Sequence, residues 1–371
     1  MTTNDTRAAA TGHVGEESAG TADERQAADQ LSLGRRLRQP RTLISLILPL
    51  VLVVLIFRVA LNIDFGKLVD GIRQADLRLL LAAFLIFYAG FPIRGYRWRR
   101  LLRGARFDLA TRDATEILFL SWLVNCLVPA KLGDVYRAYL LKINSHASLS
   151  RTFGTVFLER VLDLFAIASL GLVAGFWSFR NGFPPEMQFV FSLGVVVLVG
   201  LAVAMLTMRN FGRQILVKLP LPRRERMLHL YDRFEEGVFG AIGLRALPAL
   251  GALTILIWAT ESLRLYLVVQ ALHLPGVELG LSGAVFVALI GSLLTAVPLT
   301  PAGIGTVELG VSFVLTLAYN VPQTEAATIV VLDRLISVFS IIVLGGIAYV
   351  VSPIRRGKRE VGHDLDEPSP A

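Results

Sequence analysis

Two interruptions constrain this chain more than any other feature: Val128–Arg137, VPAKLGDVYR, and Val297–Glu308, VPLTPAGIGTVE. Each sets proline and glycine inside a long apolar region. Proline removes a backbone donor and glycine loosens a helix, so neither stretch continues through lipid as an unbroken helix. Broken backbone at membrane depth survives only where it is packed in protein or lines a wet cavity. Two such breaks, at corresponding places of two half-chains, point to the binding site of a transporter.

The rest of the composition agrees with a membrane setting. The chain is 54% hydrophobic and 18% charged, with mean hydropathy +0.60, too apolar for a soluble domain of 371 residues. Net charge +8 would suggest nucleic acid in a soluble protein, but here the basic residues cluster in short loops between apolar runs, as topology determinants do. The single cysteine, Cys126, forms no intrachain disulfide, and it reads as a buried thiol. His13, His146, His229, His273 and His363 share no helical face, so no metal site and no cofactor are expected.

Residues 1–33 are polar and without periodicity, a disordered tail in this reading. They lack the apolar core and cleavage site of a signal peptide. Apolar runs then follow at Thr42–Leu61, Leu77–Pro92, Ala114–Pro129, Phe153–Trp177, Phe189–Leu206, Leu247–Leu272, Leu281–Pro298, Gly305–Tyr319 and Thr328–Val351. If Ala114–Pro129 turns back at Pro129, and Leu281–Tyr319 turns at Val297–Gly305, the lysines and arginines sort cleanly. Loops on one side hold 27, and the other side holds five: Arg58, Lys67, Arg73, Arg78 and Arg180. The asymmetry predicts an all-α polytopic fold with six full spans, two re-entrant hairpins and both termini cytoplasmic, in the cell (inner/plasma) membrane. A transmembrane domain covers 34–352, in halves 77–207 and 246–352. Between them, 208–245 reads as a polar linker with an amphipathic helix on the inner leaflet, and 353–371 as a second cytoplasmic tail.

The halves echo each other. Arg97, Pro129, Gly133 and Arg160 correspond to Arg264, Pro298, Gly303 and Arg334, at offsets of 167, 169, 170 and 174. Related elements run oppositely across the membrane in this topology, which predicts inverted repeats.

Glu159, Arg160, Asp163, Glu261, Arg264, Asp333 and Arg334 fall within apolar spans. Ionisable groups at that depth usually face an interior cavity and pair. Arg160/Asp163 and Glu261/Arg264 are three apart, each pair on one helix face. They are read either as structural ion pairs or as part of an anion cradle. In the second reading Arg97, Lys131, Arg137, Arg160, Arg264 and Arg334 hold phosphate, for which the guanidinium fork is suited. Asp134, Glu159, Asp163, Glu261, Glu308 and Asp333 then hold the cations in place or take up a proton. Asn125, Pro129, Gly133, Pro298, Pro301, Gly303 and Gly305 form the turns, whose N–H groups add donors. The run Arg94, Arg97, Trp98, Arg99, Arg100, Arg103 and Arg106 reads as a stop-transfer anchor that could also gather anionic headgroups.

RGYRW (94–98), NCLVPAKLGDVYRAYLL (125–141), LERVLD (158–163) and PLTPAGIGTVE (298–308), in this order and spacing, resemble the transmembrane domain of lysylphosphatidylglycerol synthases and their flippase-like relatives, from about residue 42 to 352. In the two-domain synthases that part is associated with moving aminoacylated phospholipid between leaflets, while a soluble domain carries lysyl transfer. The matching positions are Arg97, Asn125, Pro129, Gly133, Asp134, Arg137, Glu159, Arg160, Asp163, Pro301, Gly303, Gly305 and Glu308. With about twenty residues after the last run, the resemblance implies a stand-alone lipid-translocating module without the transferase.

The expectation is therefore a flippase or transporter for an anionic phospholipid or polyprenyl-linked lipid, not an enzyme and with no catalytic residues. It would have no nucleic-acid partner and could form a homo-oligomer or join an envelope-biosynthesis partner. The alternatives are a headgroup-modifying membrane enzyme and a non-catalytic accessory subunit of an envelope-lipid complex.

Overall fold

A computed structural model describes residues 58, 63–128, 130–145, 147–180, 185–218, 224–240, 246–277, 279–296, 300–357 and 359–365. The first apolar run, the 1–33 tail, Pro129 and Pro298 lie outside the described residues, apart from Arg58 in that run. The rest is an all-α polytopic membrane protein. Its helices are α1 (Phe65–Gln74), α2 (Leu77–Gly104), α3 (Thr111–Leu127), α4 (Leu132–Ile143), α5 (Leu149–Ser178), α6 (Pro185–Lys218) and α7 (Arg224–Phe239). After these come α8 (Leu247–Ala271), α9 (Leu281–Ala296), α10 (Thr306–Tyr319), α11 (Gln323–Arg334) and α12 (Ser340–Val351). A π-helical turn, Leu335–Phe339, joins the last two.

Five stretches are long and apolar enough to cross a membrane: Leu77–Gly104, Phe191–Lys218, Leu247–Ala271, Pro301–Tyr319 and Gln323–Val351. The fourth is not one helix. Ala302 takes φ 51° and the regular helix starts at Thr306, leaving 14 residues, or about 21 Å, against a hydrocarbon core of about 30 Å. At 30 residues α5 is also long enough, its hydropathy lowered by Glu159, Arg160 and Asp163.

The long helices α2 and α8 run antiparallel side by side. The Asp76 N–H donates to the Ala271 carbonyl at 2.8 Å at one end, and Leu101 meets Leu250 in an apolar cluster at the other. Gly90 lets them approach midway, because a Cβ there would lie 3.0 Å from Thr260 Oγ1.

Around this pair sit two hairpins. Helices α3 and α4 reverse through Ala130 and Lys131, both left-handed at φ 65° and 50°. Glycine is required just beyond, since a Cβ on Gly133 would stand 2.0 Å from the Ser121 carbonyl. The Gly133 N–H donates to Asn125 Oδ1 at 2.8 Å and closes the turn. Both feet of this hairpin stand at the basic end of the molecule. There Ser352 Oγ donates to Glu116 Oε1 (2.6 Å) beside one foot, and Asn144 Nδ2 to the Ile354 carbonyl (2.7 Å) beside the other.

Helices α9 and α10 form the second hairpin. Gly283 faces Tyr319, Gly291 faces Val311 and Leu294 packs on Gly310, a register that closes toward the turn at Pro301–Gly303. Its feet lie at the opposite end, where Ser178 Oγ and Tyr319 OH are 2.9 Å apart. The two turns therefore point at each other.

Apolar side chains also cover much of the outer surface. Val196 is 65% exposed, with Val195, Val199, Val203 and Leu206 alongside it on α6, and Val343, Ile347 and Val350 on α12 are exposed too. Such a continuous apolar face is paid for only in lipid.

The structure departs from the sequence reading in three places. Helix α6 continues to Lys218, so Arg209 and Arg213, read as loop, extend a helix beyond its apolar run. Helix α7, read only as an amphipathic surface helix, also packs on α5: Val238 is fully buried with Leu101 and Leu158, and Ser150 Oγ donates to the Leu230 carbonyl at 2.6 Å. Residues 353–357 and 359–365, read as a tail, are docked. Ile354 and Val361 are buried, Arg359 pairs with Asp113 at 2.8 Å, and β2 (His363–Asp364) pairs antiparallel with β1 (Phe107–Asp108).

Candidate functional site

The two turns meet at a cavity of ≈ 190 Å³ in the middle of the bundle. Lys131 and Asn125 reach it from the first hairpin, and Thr300, Ala302 and Gly303 from the second. Arg160 enters from α5, Glu261 and Arg264 from α8, and Asp333 and Arg334 from the end of α11. Trp122, Trp258 and Phe87 supply aromatic walls, and Val287, Val307 and Val311 an apolar side. Cys126 also lines this wall as a free, buried thiol.

The charges are organised as a ring of ion pairs. Arg160 grips Asp134 with two donors, Nε at 2.8 Å and Nη2 at 2.6 Å. Arg334 donates through Nε to Glu308 (2.7 Å) and through Nη2 to the Ala302 carbonyl (2.6 Å), so it holds the second turn directly. Arg264 holds Asp333 with two donors at 2.8 and 3.1 Å, pairs with Glu261 through Nη1, and stacks 5.1 Å over Phe87. The other oxygen of Glu261 accepts from Arg94 at 2.5 Å, whose guanidinium lies 4.9 Å over Trp122. Behind the wall, Arg97 donates to both oxygens of Asp163 (2.6 and 3.1 Å) and to Thr254 (2.9 Å). Glu159 accepts from Arg137 at 3.0 Å and lies 3.5 Å from Arg97. The second oxygen of Glu308 accepts the Gly305 N–H at 2.6 Å.

Of the residues singled out from sequence, Asn125, Lys131, Arg160, Arg264, Arg334, Glu261, Asp333 and Gly303 line the cavity. Arg97, Arg137, Asp134, Glu159, Asp163 and Glu308 do not; they are buried behind it as partners. Gly133 begins α4, Pro301 begins the second turn and Gly305 precedes α10. The i, i+3 pairing of Glu261 with Arg264 is present. Arg160 and Asp163 are 3.8 Å apart, but the main partner of Arg160 is Asp134.

Arg94 was read as part of a surface anchor and is instead 4% exposed inside the bundle, and Arg97 and Trp98 of the same run are also buried. The signal that could have found Arg94 is its spacing, three residues before Arg97 and so on the same helical face. Thr254 and Trp258, which donates to Asp163 at 3.2 Å, were also missed.

A pattern recurs between the halves. Arg160 reaches back 26 residues to Asp134, and Arg334 reaches back 26 to Glu308. Arg97 pairs forward with Asp163, as Arg264 does with Asp333. The left-handed pair Ala130/Lys131 matches Ala302/Gly303, which sets Gly133 against Gly305 and not against Gly303.

Seven basic side chains (Arg94, Arg97, Lys131, Arg137, Arg160, Arg264, Arg334) thus face six carboxylates (Asp134, Glu159, Asp163, Glu261, Glu308, Asp333). Each arginine has a carboxylate partner. Among the described residues Lys131 has none within 4.0 Å.

An all-α multi-pass membrane protein with a charged central chamber is the class that fold and site define. The match to known proteins makes it specific. Residues 43–345 match the lysylphosphatidylglycerol synthase TM region model, and the chain belongs to that family. It is 38% identical over 228 residues to a UPF0104 membrane protein of Methanocaldococcus jannaschii, covering 62% of this chain and 93% of that one. It is 25% identical to a UPF0104 membrane protein of Methanothermobacter thermautotrophicus, covering 76% and 86%. It is also 25% identical to the glycosyltransferase AglD of Haloferax volcanii over 87% of this chain, which spans 56% of that protein.

Proposed function

We propose that this chain moves an anionic lipid between leaflets, the headgroup passing through the central chamber while the chains stay in the bilayer. The observation that carries the reading is the uncompensated Lys131 at the tip of one hairpin, facing the tip of the other across a chamber lined by arginines. In this reading the hairpins are re-entrant, entering from opposite faces, and the halves are inverted repeats. Left-handed turns, short helices and feet at opposite ends support both statements. The basic end is cytoplasmic by the positive-inside rule, in the cell membrane. Helices too short to span, meeting mid-bundle, leave the turn backbone on a polar cavity, where broken backbone is tolerated.

The ion pairs then form the scaffold. Arginines bound through two nitrogens to carboxylates stay fixed, and Arg160 keeps Nη1 free of hydrogen bonds among the described residues, with its side chain 30% exposed. Lys131 and this edge of Arg160 are the groups offered to phosphate, a use suited to both. No nucleotide drives the movement in this reading; a lipid or ion gradient does, or exchange is passive.

The test is reconstitution in vesicles carrying a fluorescent anionic phospholipid on both leaflets, with a membrane-impermeant quencher outside. The active protein raises the quenched fraction well above half, and Arg160→Ala or Lys131→Ala, still inserted and monodisperse, returns it to the protein-free level. Bleaching no greater than in empty vesicles refutes transport. The similarity to a glycosyltransferase favours a second reading, headgroup modification, which the same vesicles test: a new lipid species on extraction supports it.

A further inference from the structure

We infer that the chamber selects a lipid whose headgroup carries a single negative charge, on a phosphodiester, and no ammonium group. The inference rests on the chamber being a lipid headgroup site, as proposed above, and adds the charge type it accepts.

The argument starts from charge balance. Buried charges are tolerated when paired, and the ring is one negative charge short of neutrality, the excess positive charge residing on Lys131. A phosphodiester brings one negative charge and neutralises it. A phosphomonoester brings about −1.5 to −2 near neutral pH, and a diphosphate at least as much. The surplus would have to displace a carboxylate from its arginine and leave that carboxylate buried without a partner, which is strongly unfavourable.

The carboxylates decide the second half. Asp333 accepts through both oxygens from Arg264, and Glu261 is bridged between Arg94 and Arg264. These are the two carboxylates that line the chamber. Behind the wall, Asp134 is engaged by Arg160 through both oxygens, Asp163 by Arg97 through both, and Glu308 by Arg334 and the Gly305 N–H, while Glu159 accepts from Arg137 and lies 3.5 Å from Arg97. An ammonium group entering here would find no unengaged acidic oxygen and would face Lys131 and Arg160. The chamber of this chain is therefore set against the aminoacylated phospholipid that the family resemblance implies, and against zwitterionic lipids.

Trp122 and Trp258 line the chamber, so their fluorescence reads occupancy. The full chain in neutral detergent is titrated with short-chain phosphatidylglycerol, phosphatidylcholine, lysyl-phosphatidylglycerol and phosphatidate, and with soluble glycerophosphoglycerol. The expected result is phosphatidylglycerol binding at least about tenfold tighter than the other three lipids and tighter than the soluble diester. Lys131→Gln should weaken phosphatidylglycerol on the order of tenfold, the loss of one charge-assisted contact, and leave phosphatidylcholine unchanged. Equal or tighter binding of phosphatidylcholine, lysyl-phosphatidylglycerol or phosphatidate overturns the inference, as does an unaltered Lys131→Gln. Soluble diester binding as tightly as the lipid overturns the lipid part. The expected order of binding without transfer in vesicles supports the inference and refutes transport alone.

Discussion

Replacing Arg97 with methionine separates scaffold from ligand. Arg97 is 1% exposed and donates to both oxygens of Asp163, at 2.6 and 3.1 Å, and to Thr254 at 2.9 Å. Without it Asp163 keeps only the indole of Trp258 at 3.2 Å and the more distant Arg160 at 3.8 Å, while itself 6% exposed. Breaking a buried pair from one side costs about 3–5 kcal/mol, because the surviving charge stays buried. Replacing both partners by apolar groups of similar volume is often close to neutral. Glu159 retains Arg137 at 3.0 Å in either variant, and Arg160 retains Asp134. Arg97→Met should therefore lose about 3–5 kcal/mol, and Arg97→Met with Asp163→Leu should recover most of the loss. Unfolding of the purified protein in mixed micelles, titrated with denaturing detergent and followed by tryptophan fluorescence, measures both. A single variant within about 1 kcal/mol of the parent, or a double variant as unstable as the single, refutes the scaffold role of Arg97.

Gly133→Ala should prevent the first hairpin from closing, since its Cβ meets the Ser121 carbonyl at 2.0 Å; the check is loss of a designed disulfide between α3 and α4. Gly303→Val, at φ +69° and with its Cβ 2.8 Å from Val307, should cost about 1–3 kcal/mol in the same unfolding assay, and an unchanged midpoint would contradict the turn geometry. Ile354→Asp should release the docked residues around it, because Ile354 is fully buried against the feet of the first hairpin. Faster proteolysis between Arg356 and Arg359 with the membrane helices intact is the expected readout. Arg334→Ala should loosen the second turn by removing the bond to the Ala302 carbonyl at 2.6 Å, seen as greater labelling of a cysteine at position 302.

The breaks at Val128–Arg137 and Val297–Glu308 were legible because proline, glycine and charge inside an apolar run leave few options. Pairing within one helix, as for Glu261 and Arg264, follows from the 3.6-residue period. The partners across helices do not: Asp134 for Arg160 and Glu261 for Arg94 depend on how α4, α5, α2 and α8 pack, which no local pattern encodes. The buried position of Arg94 was masked by its neighbours Arg100 and Arg103, whose exposure at the helix end is ordinary. The docking of residues 353–357 and 359–365 escaped because two isolated aliphatic residues, Ile354 and Val361, make no periodic signal. The reach of α6 to Lys218 escaped because Arg209, Asn210, Arg213 and Gln214 break the apolar run on a helix already long enough to span.

Helix α6 gives no side chain to the chamber, and no residue of its apolar window is fully buried: Phe191, Met205 and Met208 pack inward, while Val195, Val196, Val199, Val203 and Leu206 are exposed. Its outward residues answer to one requirement, greasiness, with no jigsaw to satisfy. Exchanges among Val, Leu, Ile and Phe along that outward strip should drift freely between relatives. The strip is accordingly where a probe, a tag-bearing cysteine or a thickness-matching extension can be grafted while the machinery beyond α5 goes undisturbed.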